Sequence, residues 1–220
     1  DFFYSMRSPW SYIATYQVRD ISIKYNIKFN IRFVYPIALR IEGFFEKIDP
    51  LFAPYLLRDA SRVAEMKNIP YKWPIPDPIV MEMPNKKYNK ELKSPKIDNN
   101  QPYIHRITRL GVLAGLYNKD LEYVYNVAKL IWDGKTKNWD KGNHINNALR
   151  NIGLNPDKMN SEIITKKDEI EKIITNNEII HRQTCHWGVP VFGFNNEPFF
   201  GQDRLDVLLW RLKQNGLEER

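Results

Sequence analysis

Two short segments from opposite ends of the chain contain residue types that could bind and activate a small acidic ligand. The first is Ser-Pro-Trp-Ser at residues 8–11, directly after the apolar run Phe-Phe-Tyr at 2–4. This order predicts a strand that ends in a turn and opens a helix, with Ser8 as the N-cap and Pro9 at the first helical position. Free N–H groups and the positive end of the helix dipole collect there and favour an anion such as a thiolate. The alternative is that Ser8 is only a cap.

The second segment begins with Trp-Gly-Val-Pro at residues 187–190 and continues, after a short hairpin, with Gly-Gln-Asp-Arg at 201–204. Gln202 and Asp203 are expected to open the last helix, where an acid and exposed N–H groups can take part in ligand binding. The alternative is that Asp203 only complements the helix dipole and pairs with Arg204.

The chain lacks a redox pair of thiols. A dithiol site at the first helix would need Cys-x-x-Cys, whereas the sequence has Ser-x-x-Ser, so this site can bind a thiolate but cannot supply one. The single cysteine, Cys185, excludes an internal disulfide and is typical of a reducing compartment, so we expect a cytoplasmic protein. With His181 and His186 it would give a metal three ligands without a fourth, and we predict no metal site. Cys185 is expected to be a small buried residue and the histidines to cap a helix end.

Composition indicates an ordinary globular chain. Its 220 residues are 43% hydrophobic and 27% charged, enough for one domain or one domain with an insertion. The formal net charge is +7, but lysines alternate with acids and no nucleic-acid-binding motif is present, so no nucleic-acid partner is expected. No apolar run approaches the length that crosses a membrane, so no membrane association is expected.

Hydrophobic periodicity divides the chain into three parts. Residues 1–5, 9–25 and 28–34 are predicted to form a strand, a helix and a strand. From about residue 50 to 185 the pattern favours helices and loops, and seven prolines from Pro70 to Pro102 predict a long, partly extended loop. The β pattern returns at 191–194 and 197–200, joined by a tight turn at Asn195 and Asn196, and an amphipathic helix follows. The helices expected in the middle are 104–117, 121–132, 144–152, 156–165 and 168–184, preceded by one that starts at Pro54.

These elements predict an α/β fold whose two ends build one domain. A right-handed β-α-β unit can share its sheet with the hairpin and helix at the other end of the chain, which places both special segments at one end of that sheet. The predicted domains are a discontinuous one, residues 1–49 with 186–220, and an inserted helical one, residues 50–185.

Three motifs together resemble one known family. Residues 8–12 (SPWSY), 188–190 (GVP) and 199–206 (FFGQDRLD) are similar to the 2-hydroxychromene-2-carboxylate isomerases and kappa-class glutathione transferases, in the DsbA-like branch of the thioredoxin superfamily. The resemblance covers both ends of the chain and, in layout only, the helical middle. It implies a thioredoxin-like fold with an all-helical DsbA-like insertion, glutathione as the cofactor, a small-molecule substrate and a homodimer.

The resemblance also implies roles for individual residues. The hydroxyl of Ser8 would hydrogen-bond the glutathione sulfur and stabilise it as a thiolate. Val189 and Pro190 would form a cis-proline loop on which the cysteinyl backbone of glutathione docks, whereas a plain proline at a strand start would be trans. Gln202 and Asp203 would hold the γ-glutamyl end, the acid meeting its ammonium group and the N–H groups its carboxylate.

The substrate side departs from the family pattern. Family members carry an Asn and one or more Lys after the second strand; here Asp49 stands where the Asn is expected, and Arg40 or Lys47 could neutralise a carboxylate. Four aromatic residues could wall an aromatic substrate or belong to the core instead: Trp10, Tyr12, Trp73 and Trp187.

The implied function is that of a glutathione-dependent isomerase or transferase acting on a hydrophobic, aromatic or carboxylated electrophile. The alternative is a non-catalytic thioredoxin-like binding module that has lost its redox chemistry. A disulfide oxidoreductase is excluded because serine cannot exchange with a disulfide.

Overall fold

The two ends of the chain meet in one four-stranded sheet. The computed structural model describes residues 1–84 and 93–220. The sheet has the order β2-β1-β5-β6, with β1 parallel to β2 and antiparallel to β5, so the predicted β-α-β opening and terminal hairpin share it. The strands in the described residues are β1 (Phe2–Tyr4), β2 (Ile31–Phe33), β3 (Met81–Glu82), β4 (Lys96–Ile97), β5 (Val191–Phe194) and β6 (Glu197–Phe200).

Helices fill most of the insertion and cover both faces of the sheet. A π-helical turn, Val124–Ala128, joins two short helices into the single helical stretch predicted over 121–132. A 3₁₀ turn, Gln202–Arg204, precedes the last helix. The α-helices in the described residues are α1 (Pro9–Lys24), α2 (Ile37–Arg40), α3 (Phe44–Lys47), α4 (Phe52–Met66), α5 (Pro102–Leu116), α6 (Asp120–Tyr123), α7 (Lys129–Trp132), α8 (His144–Asn151), α9 (Pro156–Thr165), α10 (Lys167–Gln183) and α11 (Leu205–Gln214).

Alternation along β1 divides the core into two parts. Phe2 and Tyr4 belong to the main core, to which α1, α5 and α11 also contribute. Phe3 lies between them in sequence and packs instead with Val34 and Val191. These last three residues are called the small core; α10 packs on it through Ile180.

Among the described residues of the insertion, the antiparallel ladder of β3 and β4 is a β element that sequence periodicity did not indicate. Helices α2 and α3 were not predicted either, because four residues are too few to show a period. Residues 85–92 lie outside the described residues, so the predicted loop from Pro70 to Pro102 is tested only in part. The domain boundaries at 49/50 and 185/186 stay a prediction. In the described ranges no helix has the length and apolarity needed to cross a bilayer.

Replacing Gly111 by alanine is expected to lower the free energy of unfolding by about 2–3 kcal/mol. Gly111 lies in α5, and a Cβ there would stand 2.5 Å from the buried ring of Phe33 in β2. Gly115→Ala, in the same helix, is the control, because its nearest neighbouring atom would be 3.8 Å away. That change should stabilise the protein by about 0.5–1 kcal/mol through helix propensity. Urea denaturation measures both, and a neutral Gly111→Ala would contradict the close α5–β2 contact.

Candidate functional site

Ser8 is the N-cap of α1, as the sequence predicts. Its Oγ accepts a hydrogen bond from the Ser11 N–H at 3.1 Å, and Pro9 lies in the first turn. The Ser8 N–H donates to the Ser5 carbonyl at 3.0 Å and closes the turn that follows β1. Ser8 Oγ also lies 3.4 Å from the carbonyl oxygen of Val189, 181 residues away in sequence. The two ends of the chain that carry the predicted motifs therefore meet at this hydroxyl.

Residues 187–190, the cis-proline loop, connect this hydroxyl to the terminal hairpin. The Val189–Pro190 peptide bond is cis, in agreement with the prediction. The Pro190 carbonyl accepts a hydrogen bond from the Gly201 N–H at 2.9 Å, which fastens the loop to the end of β6. A second cis bond, Ile75–Pro76, lies in the proline-rich stretch and was not predicted.

Gln202 and Asp203 follow Gly201, whose φ of +105° strongly favours glycine. Their 3₁₀ turn packs against α1. Gln202 is 7% exposed, and its buried Oε1 has no hydrogen-bond partner among the described residues. Asp203 is exposed and accepts a hydrogen bond from Nη1 of Arg204 at 2.8 Å. The turn thus presents an unpaired buried amide oxygen and an exposed carboxylate.

Three polar residues predicted for the substrate side form hydrogen bonds with backbone groups of the chain: Arg40, Lys47 and Asp49. Arg40 donates from Nε to the Tyr35 carbonyl at 2.8 Å and from Nη2 to the Trp187 carbonyl at 3.2 Å. Lys47 and Asp49 are exposed, and each bonds a backbone group within its own loop. The structure therefore gives Arg40 a role in holding the cis-proline loop. A contact of Lys47 or Asp49 with a substrate stays a prediction.

The four aromatic residues predicted to wall the substrate differ in exposure. Tyr12 is 1% exposed, its ring stacks on Trp132, and its hydroxyl donates to a backbone carbonyl. The prediction of a pocket role for Tyr12 is therefore wrong, because the inserted helices cover it. Trp10 and Trp73 are half-buried against the main core. Trp187 is half exposed in the cis-proline loop.

Arg7, directly before Ser8, ties the helix start to the proline-rich stretch, a contact that the sequence did not reveal. Its Nε and Nη2 donate to the two carboxylate oxygens of Asp77 at 2.7 and 2.9 Å, and both side chains are largely buried. Asp77 also accepts hydrogen bonds from the indole Nε1 of Trp73 at 3.2 Å and from the Ile79 N–H at 2.9 Å. A half-buried indole and a neutralised ion pair therefore adjoin the start of α1.

Replacing Asp77 by asparagine is expected to lower the free energy of unfolding by about 2–3 kcal/mol, because the Arg7 guanidinium would stay largely buried without its counter-charge. Urea denaturation measures the loss. The exposed Lys119–Glu122 pair provides the control, and Glu122→Gln should change stability by less than about 0.5 kcal/mol. Equal effects of the two changes would contradict the strength assigned to the buried pair.

Cys185, His181 and His186 differ from their predicted roles. Cys185 lies where the chain turns just after the end of α10, with a φ of +62°, and its side chain is exposed. The expectation of a buried cysteine is therefore wrong. His181 is fully buried and bonds the Gly188 carbonyl instead of capping its helix, while His186 accepts a hydrogen bond from the Gly188 N–H. Within residues 1–84 and 93–220, no group of three or more His, Cys, Asp or Glu is placed to hold a metal ion.

Comparison with known proteins identifies the family and supports the fold. A family model for the DSBA-like thioredoxin domain matches residues 1–213. A solved structure of 2-hydroxychromene-2-carboxylate isomerase has a TM-score of 0.68 and 17% sequence identity, with 97% of this chain and 94% of that chain covered, and this likeness shows a shared fold. No curated protein sequence matches the chain. The predicted thioredoxin-like fold with a helical insertion is confirmed, and the chain belongs to the DSBA-like thioredoxin domain family.

Proposed function

We propose that the chain is a glutathione-dependent enzyme, an isomerase or a transferase, that acts on a hydrophobic, aromatic or carboxylated electrophile. The observation that carries the proposal is the 3.4 Å approach of the Ser8 hydroxyl to the Val189 carbonyl at the start of α1. It joins a helix start that favours an anion to a backbone segment with which an extended thiol peptide can pair. When bound, glutathione would supply the thiolate that adds to an electrophilic carbon. The likeness to an isomerase structure supports the proposal at the level of the fold.

Ser8 would be the hydrogen-bond donor to the sulfur. Its Oγ accepts from the Ser11 N–H, which leaves the hydroxyl hydrogen available for donation. The 3.4 Å contact with the Val189 carbonyl is long for an O–H···O bond, so a charged acceptor would replace it readily. A donor and a helix dipole at one point stabilise a thiolate relative to a thiol and lower the pKa of the bound ligand.

The turn after β6 offers partners for the other end of glutathione. The buried Oε1 of Gln202 can only accept a hydrogen bond and has no partner among the described residues. An ammonium group can only donate, so the γ-glutamyl amine suits this oxygen together with the exposed carboxylate of Asp203. The residues present therefore fit the cofactor, with Ser8 for the sulfur and Val189 for the peptide backbone.

The contacts of Trp73 support an aromatic electrophile. Its half-buried indole is held by Asp77, which also holds Arg7 beside the start of α1. An indole face that is fixed in this way can stack on a planar ring. The Arg7 charge is already neutralised by Asp77, so Arg7 is not available to pair with a substrate carboxylate. The surface formed by Trp73 and Arg7 therefore favours an aromatic substrate over a carboxylated one.

Titration calorimetry with reduced glutathione tests the proposal. We expect binding at millimolar or lower concentration, and weaker binding of S-methylglutathione, which has no thiol to ionise. The bound cofactor should also show the ultraviolet absorbance of a thiolate at a pH at which free glutathione is protonated. The proposal fails if millimolar glutathione does not bind.

A non-catalytic binding module is the second candidate. It is favoured by the hydrogen bonds of Arg40 to two backbone carbonyls, because Arg40 is one of the two cations that could have neutralised a substrate carboxylate. If the chain is such a module, it should bind a ligand without glutathione and show no turnover with a panel of conjugated electrophiles. A homodimer and a cytoplasmic location also belong to the proposal, and sedimentation and cell fractionation test them.

A further inference from the structure

A fully buried histidine connects α10 to the cis-proline loop. His181 is 0% exposed, and its ring stacks on that of Phe3 in the small core, with centroids 4.8 Å apart. Polar atoms in an apolar layer need hydrogen-bond partners, because a buried group without one destabilises the fold. The partners of His181 therefore indicate what the ring does.

The two ring nitrogens of His181 have different partners, which define its protonation. Nε2 lies 2.8 Å from the Gly188 carbonyl oxygen, which can only accept, so Nε2 carries the hydrogen. Nδ1 lies 3.4 Å from Nη1 of Arg40, which can only donate, so Nδ1 presents its lone pair. Both contacts select the same neutral tautomer. His181 is therefore a fixed donor to the cis-proline loop.

Arg40 also hydrogen-bonds the cis-proline loop, at the Trp187 carbonyl, which precedes that of Gly188. Its Nη2 donates to the Trp187 carbonyl at 3.2 Å, and its Nε to the Tyr35 carbonyl at 2.8 Å. One guanidinium thus connects the segment after β2, the His181 ring and the loop. The guanidinium suits this role because its donors point in fixed directions within one plane.

We propose that His181 and Arg40 are positioning residues that fix the backbone direction of Val189, and with it the register of a bound thiol peptide relative to Ser8. They hold the two carbonyl groups immediately before Val189, and the Val189 carbonyl is the group 3.4 Å from Ser8 Oγ. The identity of the thiol peptide rests on the proposed function. The fixing of the loop is a property of the free protein and is testable without a ligand.

Four variants separate the hydrogen bonds of this network from packing. His181→Phe keeps an aromatic ring against Phe3 and removes both bonds, whereas His181→Gln retains a donor and an acceptor. Arg40→Lys keeps the charge but cannot reach three acceptors at once. Ile174→Ala is the control, because it removes a buried side chain of α10 that belongs to the main core.

The first readout is amide hydrogen exchange of Gly188 in the free protein, whose N–H donates to Nδ1 of His186 at 3.0 Å. We expect exchange about tenfold faster in His181→Phe and Arg40→Lys. It should stay near the wild-type rate in His181→Gln and, after correction for stability, in Ile174→Ala. Unchanged exchange in His181→Phe and Arg40→Lys would overturn the proposal, whether or not glutathione binds.

The second readout is the pKa of the bound glutathione thiol, followed by ultraviolet titration. His181→Phe should raise this pKa and weaken glutathione binding about tenfold, while Ile174→Ala should leave both unchanged. An unchanged thiol pKa and affinity in a His181→Phe protein with faster exchange would overturn the claim on register. Wild-type protein that binds no glutathione would refute the proposed function, and the exchange rates alone would then decide the positioning role.

Discussion

Replacing Ser8 by alanine is expected to lower glutathione-dependent turnover by about two to three orders of magnitude, while glutathione affinity changes by only about a factor of three. The hydroxyl is the proposed donor that favours a thiolate over a thiol, whereas Val189 and Gln202 would hold the rest of the cofactor. The pKa of the bound thiol should rise in parallel. Steady-state kinetics, calorimetry and ultraviolet titration measure the three quantities.

Ser11→Ala is the matched control for this change. Ser11 is fully buried, and its Oγ has no hydrogen-bond partner among the described residues. Its removal leaves no partner unsatisfied, so we expect wild-type turnover and equal or slightly higher stability. If Ser8→Ala lost affinity and turnover to the same extent, the thiolate role of Ser8 would be contradicted.

The capping role of Ser8 must be separated from its chemistry. Because Oγ accepts the Ser11 N–H at 3.1 Å, Ser8→Ala should also lower the free energy of unfolding by about 1 kcal/mol. Ser8→Asp keeps a capping oxygen but places a negative charge beside the sulfur, which opposes ionisation of the thiol. This variant keeps the cap and should be at least as inactive as Ser8→Ala. A Ser8→Asp protein with wild-type turnover would show that Ser8 is only a cap.

The two ends of the chain could be predicted because their signals are local. Ser8 and Pro9 fulfil capping rules that involve only the first turn of α1. Asn195 and Asn196 both adopt positive φ, at 49° and 65°, as the tight hairpin turn requires. The convergence of the ends followed from the handedness of a β-α-β unit, a rule that needs no knowledge of the insertion.

The supports of the candidate site could not be predicted, because their partners are distant in sequence. Arg7 and Asp77 are 70 residues apart, and Arg40 and His181 are 141 apart, so no periodicity or motif connects either pair. Tyr12 shows the opposite error. Its position beside the Ser8 motif suggested a pocket wall, whereas the insertion covers that side of α1.

Lowering the pH from 6.5 to about 4 is expected to reduce the free energy of unfolding by about 3 kcal/mol through His181 alone. Burial first, and then the charge of Arg40, lower the pKa of His181 from 6.5 to about 4, with smaller effects of His186 and Arg182; the bond to Gly188 opposes them. Above pH 6.5 the ring is neutral in both states, and its contribution is constant. Below it, the unfolded chain takes up a proton that the folded protein excludes, so stability falls until about pH 4.

Urea denaturation across this pH window, in the wild type and in His181→Gln, measures the effect. His105, His186 and Glu178, whose pKa values burial also shifts, are present in both proteins and cancel in the difference. The wild type should lose about 3 kcal/mol more than the variant between pH 6.5 and 4. Parallel curves would mean that the folded protein protonates His181 as readily as the unfolded chain does, which the Arg40 donor at Nδ1 opposes.

Because of His181, the free energy of unfolding and the hydrogen bonds of the cis-proline loop depend on pH in different ranges. Stability begins to fall near pH 6.5, where the unfolded chain titrates, but the contacts of the folded protein change only when His181 itself takes up a proton, near pH 4. Protonation then places a second N–H against the Arg40 guanidinium and repels it from the cis-proline loop. The Gly188 amide exchange rate, corrected for global unfolding and divided by the intrinsic exchange rate at each pH, should therefore rise near pH 4 and not near 6.5. Acceleration already near pH 6.5 would show that the folded ring is not held neutral by its two partners.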